Sequence, residues 1–344
     1  MSTLYITHNS YSKHKMQGQH HPEHPGRIEA VWKVLDDAGL SNRMQTTEPI
    51  AVTDEQILRV HTQTHLDTLN MISQQTKMTL FDQDTYALPE SPYIARLSAG
   101  GIVRAVDAVM TGEANNALAA VRPPGHHATP TRAMGFCILS NIAIGARQAQ
   151  AIHGAKKVMI VDYDVHHGNG TQDVFYDDPS VLFISTHQYP FYPGTGSRHD
   201  TGSGDADGTT LNIPLRSGHG DESYKALYER VIRPAAKRFQ PDLILVSAGF
   251  DAHHIDPLAM MQLTHTGYAH ITRELIQLAE ELCGGKIVFL MEGGYDLQAL
   301  AHGMRNVAHA LLGEDEISDF YGEANGREPN VEPLIDDLLE IHNL

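Results

Sequence analysis

The sequence has few cysteines, few basic residues and no long apolar run. Only Cys137 and Cys283 occur among its 344 residues, too few for a disulfide framework and typical of a reducing compartment. The 25 Lys and Arg against 42 Asp and Glu give a formal net charge of -17, which argues against direct nucleic acid binding because phosphate contacts need clustered cations. No segment approaches the ~18 apolar residues of a membrane span and no signal-peptide pattern opens the chain, so we expect a cytoplasmic protein with no membrane partner.

The chain does contain short apolar segments that alternate with amphipathic ones. Most of the apolar segments are continuously apolar, which is typical of strands in a parallel sheet covered on both faces. They read LYITH, NALAAVRP, KKVMIVDYDV, VLFIST, LNIP, DLILVSAGF and KIVFLMEGG. Helical patterns lie between them in PYIARLSAGGIVRAVDAVM, GFCILSNIAIGARQAQAIH, DESYKALYERVIRPAAKRF and TGYAHITRELIQLAEEL.

This alternation predicts an α/β fold with a mostly parallel central β-sheet flanked by helices on both faces. We see no linker, internal repeat or low-complexity tract that would divide the chain, and we therefore predict a single domain over residues 1–344. Within it, residues 312–344 are predicted to form an acidic connection and a closing amphipathic helix that packs on the same domain.

Side chains that bind metals gather at the predicted strand ends. Asp162, Asp164 and His166 are spaced by two after one strand, where alternate residues point to one face, and Asp251 ends another strand. Ligands of open α/β sheets bind beyond the carboxyl ends of the strands. Burying carboxylates is costly unless a cation neutralises them, so Asp164, His166 and Asp251 predict a divalent metal site with one position left for water, as in catalytic zinc. Two oxygen ligands also suit Fe²⁺, Co²⁺ or Mn²⁺, and the alternative is carboxylates that merely bind loop amides.

Two histidines and a tyrosine follow two further strands. His126 and His127 carry imidazoles that titrate near neutral pH, as general acid and base catalysis requires. Asp162 can accept an N–H from one of them and Asn169 from the other, although an ordinary turn is the simpler reading of Asn169. Tyr295 follows a double glycine, where its hydroxyl can reach a developing oxyanion, and a buried core tyrosine is the alternative.

Four motifs in order, RPPGHHA, DYDVHHGNGT, SAGFDAH and EGGYD, resemble those of the zinc-dependent histone deacetylase superfamily, which has an arginase-like fold. The resemblance runs from HHPEHPGR near residue 20 to EGGYD near residue 295, and Asn169 resembles the class II and bacterial branch, with its histone deacetylases and acetylpolyamine amidohydrolases. It implies a metal-dependent hydrolase that removes acetyl or other acyl groups from lysine side chains. His127 would act as general base and then acid, His126 paired with Asp162 would be its electrostatic partner, and Tyr295 would polarise the amide carbonyl.

The resemblance also implies a potassium site and an acyl-lysine tunnel. Potassium would bind the backbone carbonyls of Asp162, Asp164, His166 and Thr186 and the side chains of Asp162 and Ser185. The tunnel would be formed by Gly135, Phe136 and Tyr192, with Asp84 holding the substrate backbone. Leu258 stands where polyamine-selective relatives carry Glu, and leucine offers a distant ammonium only apolar contact. We therefore expect acyl-lysine in a peptide or protein as substrate, with acetylated polyamines as the alternative.

Two rival functions remain open. An arginase-like ureohydrolase would need further carboxylates for a second metal, at positions where this chain has His253 and Asn169. A non-catalytic binding protein could keep the same pocket, although every expected catalytic position is filled. A homo-oligomer is compatible with the sequence.

Overall fold

The computed structural model describes residues 2–16 and 20–344; Met1 and residues 17–19 of the predicted domain lie outside the described residues. Strands within the described part are β1 Thr3–Ile6, β2 Gln45–Thr47, β3 Thr79–Leu80, β4 Tyr86–Ala87, β5 Asn116–Ala119, β6 Val158–Asp162, β7 Val181–Gln188, β8 Thr210–Leu215, β9 Leu243–Ala248 and β10 Ile287–Met291. Strands β3 and β4 pair antiparallel. The others form one parallel sheet in the order β2-β1-β5-β10-β9-β6-β7-β8.

The helices lie on both sides of this sheet. In the same described residues they are α1 Gly26–Asp37, α2 Asp54–Leu58, α3 Gln63–Ser73, α4 Ser91–Thr111, α5 Asn141–His153, α6 Asn169–Phe175, α7 Asp221–Leu227, α8 Arg233–Phe239, α9 His265–Cys283, α10 Leu297–Leu311 and α11 Glu332–His342. A π-helical turn, Tyr228–Ile232, joins α7 to α8, and two 3₁₀ turns span Asn9–Lys13 and Gly204–Ala206. Helices α4 and α5 pack together in one layer, and α1, α10, α9 and α7 pack in succession in the other.

The observed architecture confirms the predicted fold class. All seven apolar segments become strands of the sheet, whereas the exposed edge strand β2 and helices α1 and α10 were not predicted. The predicted helix from Gly135 was wrong in its start, since α5 begins at Asn141. Gly135 and Phe136 have φ values of 56° and 68°, a left-handed conformation that no helix contains. The closing helix is α11, and its buried Ile335 and Leu338 join the hydrophobic core.

The order of the strands positions the functional side chains. Strands β5, β10, β9 and β6 are four neighbours, and every residue in them is buried. Because they are parallel, their carboxyl ends meet at one edge of the sheet. The loops that follow them carry the histidine pair, Tyr295, Asp251 and the Asp164–His166 segment. No helix in residues 2–16 and 20–344 combines the length and the apolar character that crossing a membrane requires.

Candidate active site and metal centre

The three predicted metal ligands converge at this edge. His166 Nδ1 lies 3.2 Å from Asp164 Oδ1 and 3.1 Å from Asp251 Oδ2. One ligand atom from each residue lies within 4.8 Å of the other two, and all three residues are buried. Among the described residues, neither carboxylate forms an ion pair with a lysine or arginine. Two buried carboxylates with no lysine or arginine partner, facing one imidazole, are a donor set that fits a divalent metal ion.

Backbone hydrogen bonds hold these ligands in place. Strand β6 ends at Asp162, so Asp164, which the predicted strand included, lies with His166 in the following loop. Asp164 Oδ1 accepts the N–H of His166 at 3.0 Å, and Asp251 Oδ1 accepts the N–H of Val165 at 2.8 Å. The carboxylates therefore do bind loop amides, as the alternative to a metal site supposes. The two carboxylates nevertheless turn toward a common point.

Two glycines allow the carboxylates to come this close. A Cβ atom built on Gly293 would overlap the carboxylates of Asp164 and Asp251, and one built on Gly249 would overlap Asp164. The Gly293 N–H also donates to Asp164 Oδ2 at 2.7 Å. The first glycine of the EGGYD motif, Gly293, is therefore needed because no side chain fits between the two carboxylates.

The histidine pair lies beside this cluster with each ring oriented by a different acceptor. His126 Nδ1 lies 3.0 Å from Asp162 Oδ2, and His127 Nδ1 lies 2.8 Å from Asn169 Oδ1. Because an ionised carboxylate only accepts hydrogen bonds, His126 Nδ1 donates to Asp162; the carbonyl oxygen of Asn169 likewise accepts from His127 Nδ1, which fixes the tautomer of the neutral His127 ring. The two ring centroids are 3.9 Å apart, and His126 Nε2 lies 3.8 Å from Asp164 Oδ1.

The surroundings of the two histidines shift their pKa values in opposite directions. Burial alone would lower the pKa of His126, but the negative charges of Asp164 and Asp162 raise it well above its ordinary value. Burial and the positive charge of His126 lower the pKa of His127 well below its ordinary value. In the metal-free protein His126 is thus charged and His127 neutral at neutral pH. This difference in pKa suits His126 to electrostatic stabilisation and His127 to accepting a proton.

A cavity of about 210 Å³ opens above the cluster. It is lined by Asp84, His127, Gly135, Phe136, His166, Phe191, Tyr192, Leu258 and Tyr295. This set includes every predicted substrate-binding residue. A larger cavity of about 510 Å³ lies at the opposite edge of the sheet, near the amino ends of β5 and β10, and does not reach the cluster.

Aromatic rings form the walls of this cavity. Phe191 stacks on His166 with centroids 5.5 Å apart, and Tyr192 sets its edge against His127 at 5.1 Å. Phe136 packs edge-on against Tyr295 at 5.8 Å. Burial raises the pKa of Tyr295 well above its ordinary value, so its hydroxyl stays protonated and can donate a hydrogen bond. Sequence reasoning missed Phe191, although it directly precedes Tyr192 in FYPGTG.

The residues expected to bind potassium also lie together. Asp162 is paired with Ser185 in the β6–β7 register, and both residues are fully buried. Thr186 Oγ1 donates to the Asp162 carbonyl at 3.4 Å. Ser185 Oγ lies 3.0 Å from His187 Nδ1.

Two buried charged residues near the site were not singled out from the sequence. Glu292 Oε2 accepts the N–H groups of Gly125 at 2.7 Å and His126 at 3.3 Å, which joins the EGGYD loop to the histidine loop. Arg27 Nε donates to the Gly294 carbonyl at 2.7 Å, and its guanidinium also contacts the Glu292 carbonyl. Both lie within quoted motifs, but their partners are more than 160 residues away in sequence and spacing does not reveal them. Glu292, His126 and Cys137 also form a second group of buried potential metal ligands.

Comparison with known proteins gives a consistent assignment. A family model described as histone deacetylase domain matches residues 21–311. A histone deacetylase-like amidohydrolase of Pseudomonas aeruginosa is 43% identical over 80% of this chain and 72% of its own length. A probable deacetylase of Archaeoglobus fulgidus is 40% identical over 92% of this chain and 88% of its own length.

A plant relative and a solved structure agree with these matches. Histone deacetylase 10, chloroplastic, of Oryza sativa is 40% identical over 94% of this chain and 78% of its own length. The crystal structure of the HDA15 HD domain superposes with a TM-score of 0.90 at 38% identity, covering 99% of this chain and 94% of that one. The chain therefore belongs to the histone deacetylase family of hydrolases.

Proposed function

We propose that this protein is a metal-dependent amidohydrolase that removes acetyl or other acyl groups from lysine side chains of peptides or proteins. The observation that carries the proposal is the convergence of a three-ligand metal cluster, an oriented histidine pair and a tyrosine on one cavity. The ordinary composition and the two free buried cysteines support a cytoplasmic location.

Asp164, His166 and Asp251 would hold the metal. Two carboxylates and one imidazole suit Zn²⁺, which is the metal we propose. The same donor set also suits Fe²⁺ or Co²⁺, and these ions are the alternatives. When bound, such an ion polarises an acyl carbonyl and lowers the pKa of a water molecule. A structural K⁺ near Asp162 and Ser185 is part of the proposal and rests on the family resemblance.

The chain's own residues then supply the proton transfers. Neutral His127, held by Asn169, takes a proton from the attacking water and later gives it to the departing amine. His126, paired with Asp162, stabilises the negative charge that develops. The protonated hydroxyl of Tyr295 donates a hydrogen bond to the carbonyl oxygen as it becomes an oxyanion.

The cavity favours acyl-lysine over acetylated polyamines. Phe136, Tyr192 and Leu258 offer apolar contact to the methylenes of a lysine side chain. Leu258 has no polar group that could bind the distant ammonium of a polyamine, whereas Asp84 at the same cavity can accept hydrogen bonds from a peptide backbone. The net negative charge of the chain attracts polyamines and basic peptides alike, so the discrimination rests on these residues.

A single metal is also favoured over the two-metal site of a ureohydrolase. His253 lies against His265, with Nε2 and Nδ1 3.3 Å apart, and Asn169 is engaged by His127. Neither position supplies the additional carboxylate that a second metal would need.

The test is a comparison of kcat/KM for an acetyl-lysine peptide, acetylputrescine and acetylspermidine on the zinc-loaded protein and on Leu258→Glu. We expect the unchanged protein to prefer the peptide and the variant to gain activity toward acetylspermidine. A preference of the unchanged protein for acetylated polyamines would replace lysine deacetylation by polyamine deacetylation. Absence of hydrolysis with all three substrates would contradict the proposed chemistry.

A further inference from the structure

Asp256 is a buried carboxylate in the loop that follows the ligand Asp251. Its side chain is 5% exposed, and no salt bridge reaches it from residues 2–16 or 20–344. Three backbone amides satisfy it instead. Oδ2 accepts the N–H of Tyr295 at 2.6 Å and of Asp296 at 3.1 Å, and Oδ1 accepts the N–H of Leu258 at 2.9 Å.

These three amides belong to two separate walls of the cavity. Leu258 lies in the loop after β9, and Tyr295 lies in the loop after β10. Asp256 therefore fastens one wall to the other, because a single buried carboxyl group accepts hydrogen bonds from both loops.

Hydrogen bonds hold the backbone on both sides of Tyr295. Gly293 and Gly294 precede it, and Gly294 has a φ of 118°, a backbone conformation that favours glycine. Asp296 then caps helix α10 by accepting the N–H groups of Gln298 at 3.0 Å and Ala299 at 2.8 Å. Tyr295 thus lies between the glycine pair, where the Gly294 carbonyl accepts from Arg27, and the capped start of α10, and its own N–H donates to Asp256.

We propose that Asp256 is a positioning residue for Tyr295, which fixes the backbone from which the tyrosine hydroxyl reaches the substrate carbonyl. This inference rests on the proposed function, and it assigns a role to a residue outside the metal cluster and the histidine pair. A rotation about the Gly294–Tyr295 segment would move the hydroxyl at the far end of the ring, and a misplacement of 1 Å at a reacting centre can cost about 100-fold in rate.

The kinetic test uses Asp256→Asn, in which the neutral amide cannot accept from all three N–H groups. We expect kcat for an acetyl-lysine peptide to fall about 10- to 100-fold, with the metal content unchanged. In the Tyr295→Phe background the same change should not lower kcat further, and any residual effect should lie in KM through Leu258. Asp256→Glu, which keeps the carboxyl group but moves it by one methylene, should also lower kcat and serves if the asparagine variant does not fold.

Asp221→Asn is the matched control. Asp221 also accepts a backbone N–H, from Thr264 at 2.9 Å, and joins the start of α7 to the start of α9, away from the cavity. It should retain the kcat of the unchanged protein.

A second readout does not depend on turnover. 3-Fluorotyrosine placed at Tyr295 should give one sharp ¹⁹F resonance in the otherwise unchanged protein and a broadened or multiple signal with Asp256→Asn. If the protein hydrolyses no acyl amide but the resonance changes in this way, the proposed function fails and the positioning role stands. An unchanged resonance, or a full additional loss of kcat in the Tyr295→Phe background, would overturn the inference.

Discussion

Metal binding to the cluster should compete with protonation of His166. Burial alone would lower the pKa of His166, but its hydrogen bonds to Asp164 and Asp251 raise it to about 10 in the metal-free protein. A metal ion binds only the neutral imidazole, so a proton must leave before the ion can bind.

The size of this competition follows from the pKa. Since pH 7 is about three pH units below this pKa, about one His166 imidazole in a thousand is neutral. Removing the proton therefore costs about 4 kcal/mol of metal affinity. Because protonation is lost as the pH rises, the dissociation constant of Zn²⁺ should fall about tenfold per pH unit between pH 6 and pH 8.

A competition titration with a chromophoric chelator at pH 6, 7 and 8 measures this dependence. The proton released can be counted by calorimetry in buffers of different ionisation enthalpy, and at least one proton per metal is expected. A dissociation constant that does not change with pH, after correction for the chelator, would refute the assignment of His166 as a ligand that is protonated in the metal-free protein.

Three substitutions probe the rest of the site. Tyr295→Phe keeps the ring contacts and removes the hydroxyl, so the activation barrier should rise by about 2.7–4 kcal/mol and kcat should fall accordingly. Tyr93→Phe on the surface should have no effect. Undiminished turnover of Tyr295→Phe would exclude the oxyanion role. Gly293→Ala places a Cβ into both carboxylate ligands and should abolish stoichiometric metal binding, measured by elemental analysis; an unchanged metal content would show that the cluster is not the site. Asn169→Asp puts a carboxylate 2.8 Å from His127 Nδ1 and should raise the pKa of His127, moving the acidic limb of the kcat/KM profile to higher pH; a limb that does not move would argue against His127 as the base.

The sequence predicted the parts of the site that depend on strand ends and short motifs. Continuous apolar segments identified the central strands because those strands are buried on both faces. Parallel strands end at one edge, so Asp164, His166 and Asp251 could be expected to meet before any distance was known. The predicted strand through Asp164 was too long, because the Asp162 side chain accepts the Asp164 N–H at 3.1 Å and turns the chain out of the sheet.

Contacts between distant segments were not predictable in the same way. Arg122 binds Glu23 across 99 residues, and both side chains are fully buried, yet each reads as an ordinary charged residue in the sequence. Asp256 reads as a turn residue before a proline, and its role depends on amides almost 40 residues away. Strand β2 carries a weaker pattern, since it is an exposed edge of three residues.

The most direct test of the metal centre combines metal content with turnover. The protein is stripped with a chelator, assayed on an acetyl-lysine peptide, and then titrated with Zn²⁺ while bound metal is counted. We predict that hydrolysis is lost on stripping and returns in proportion to the first equivalent of metal per chain. Turnover that survives complete removal of metal, or that needs two equivalents, would contradict the account.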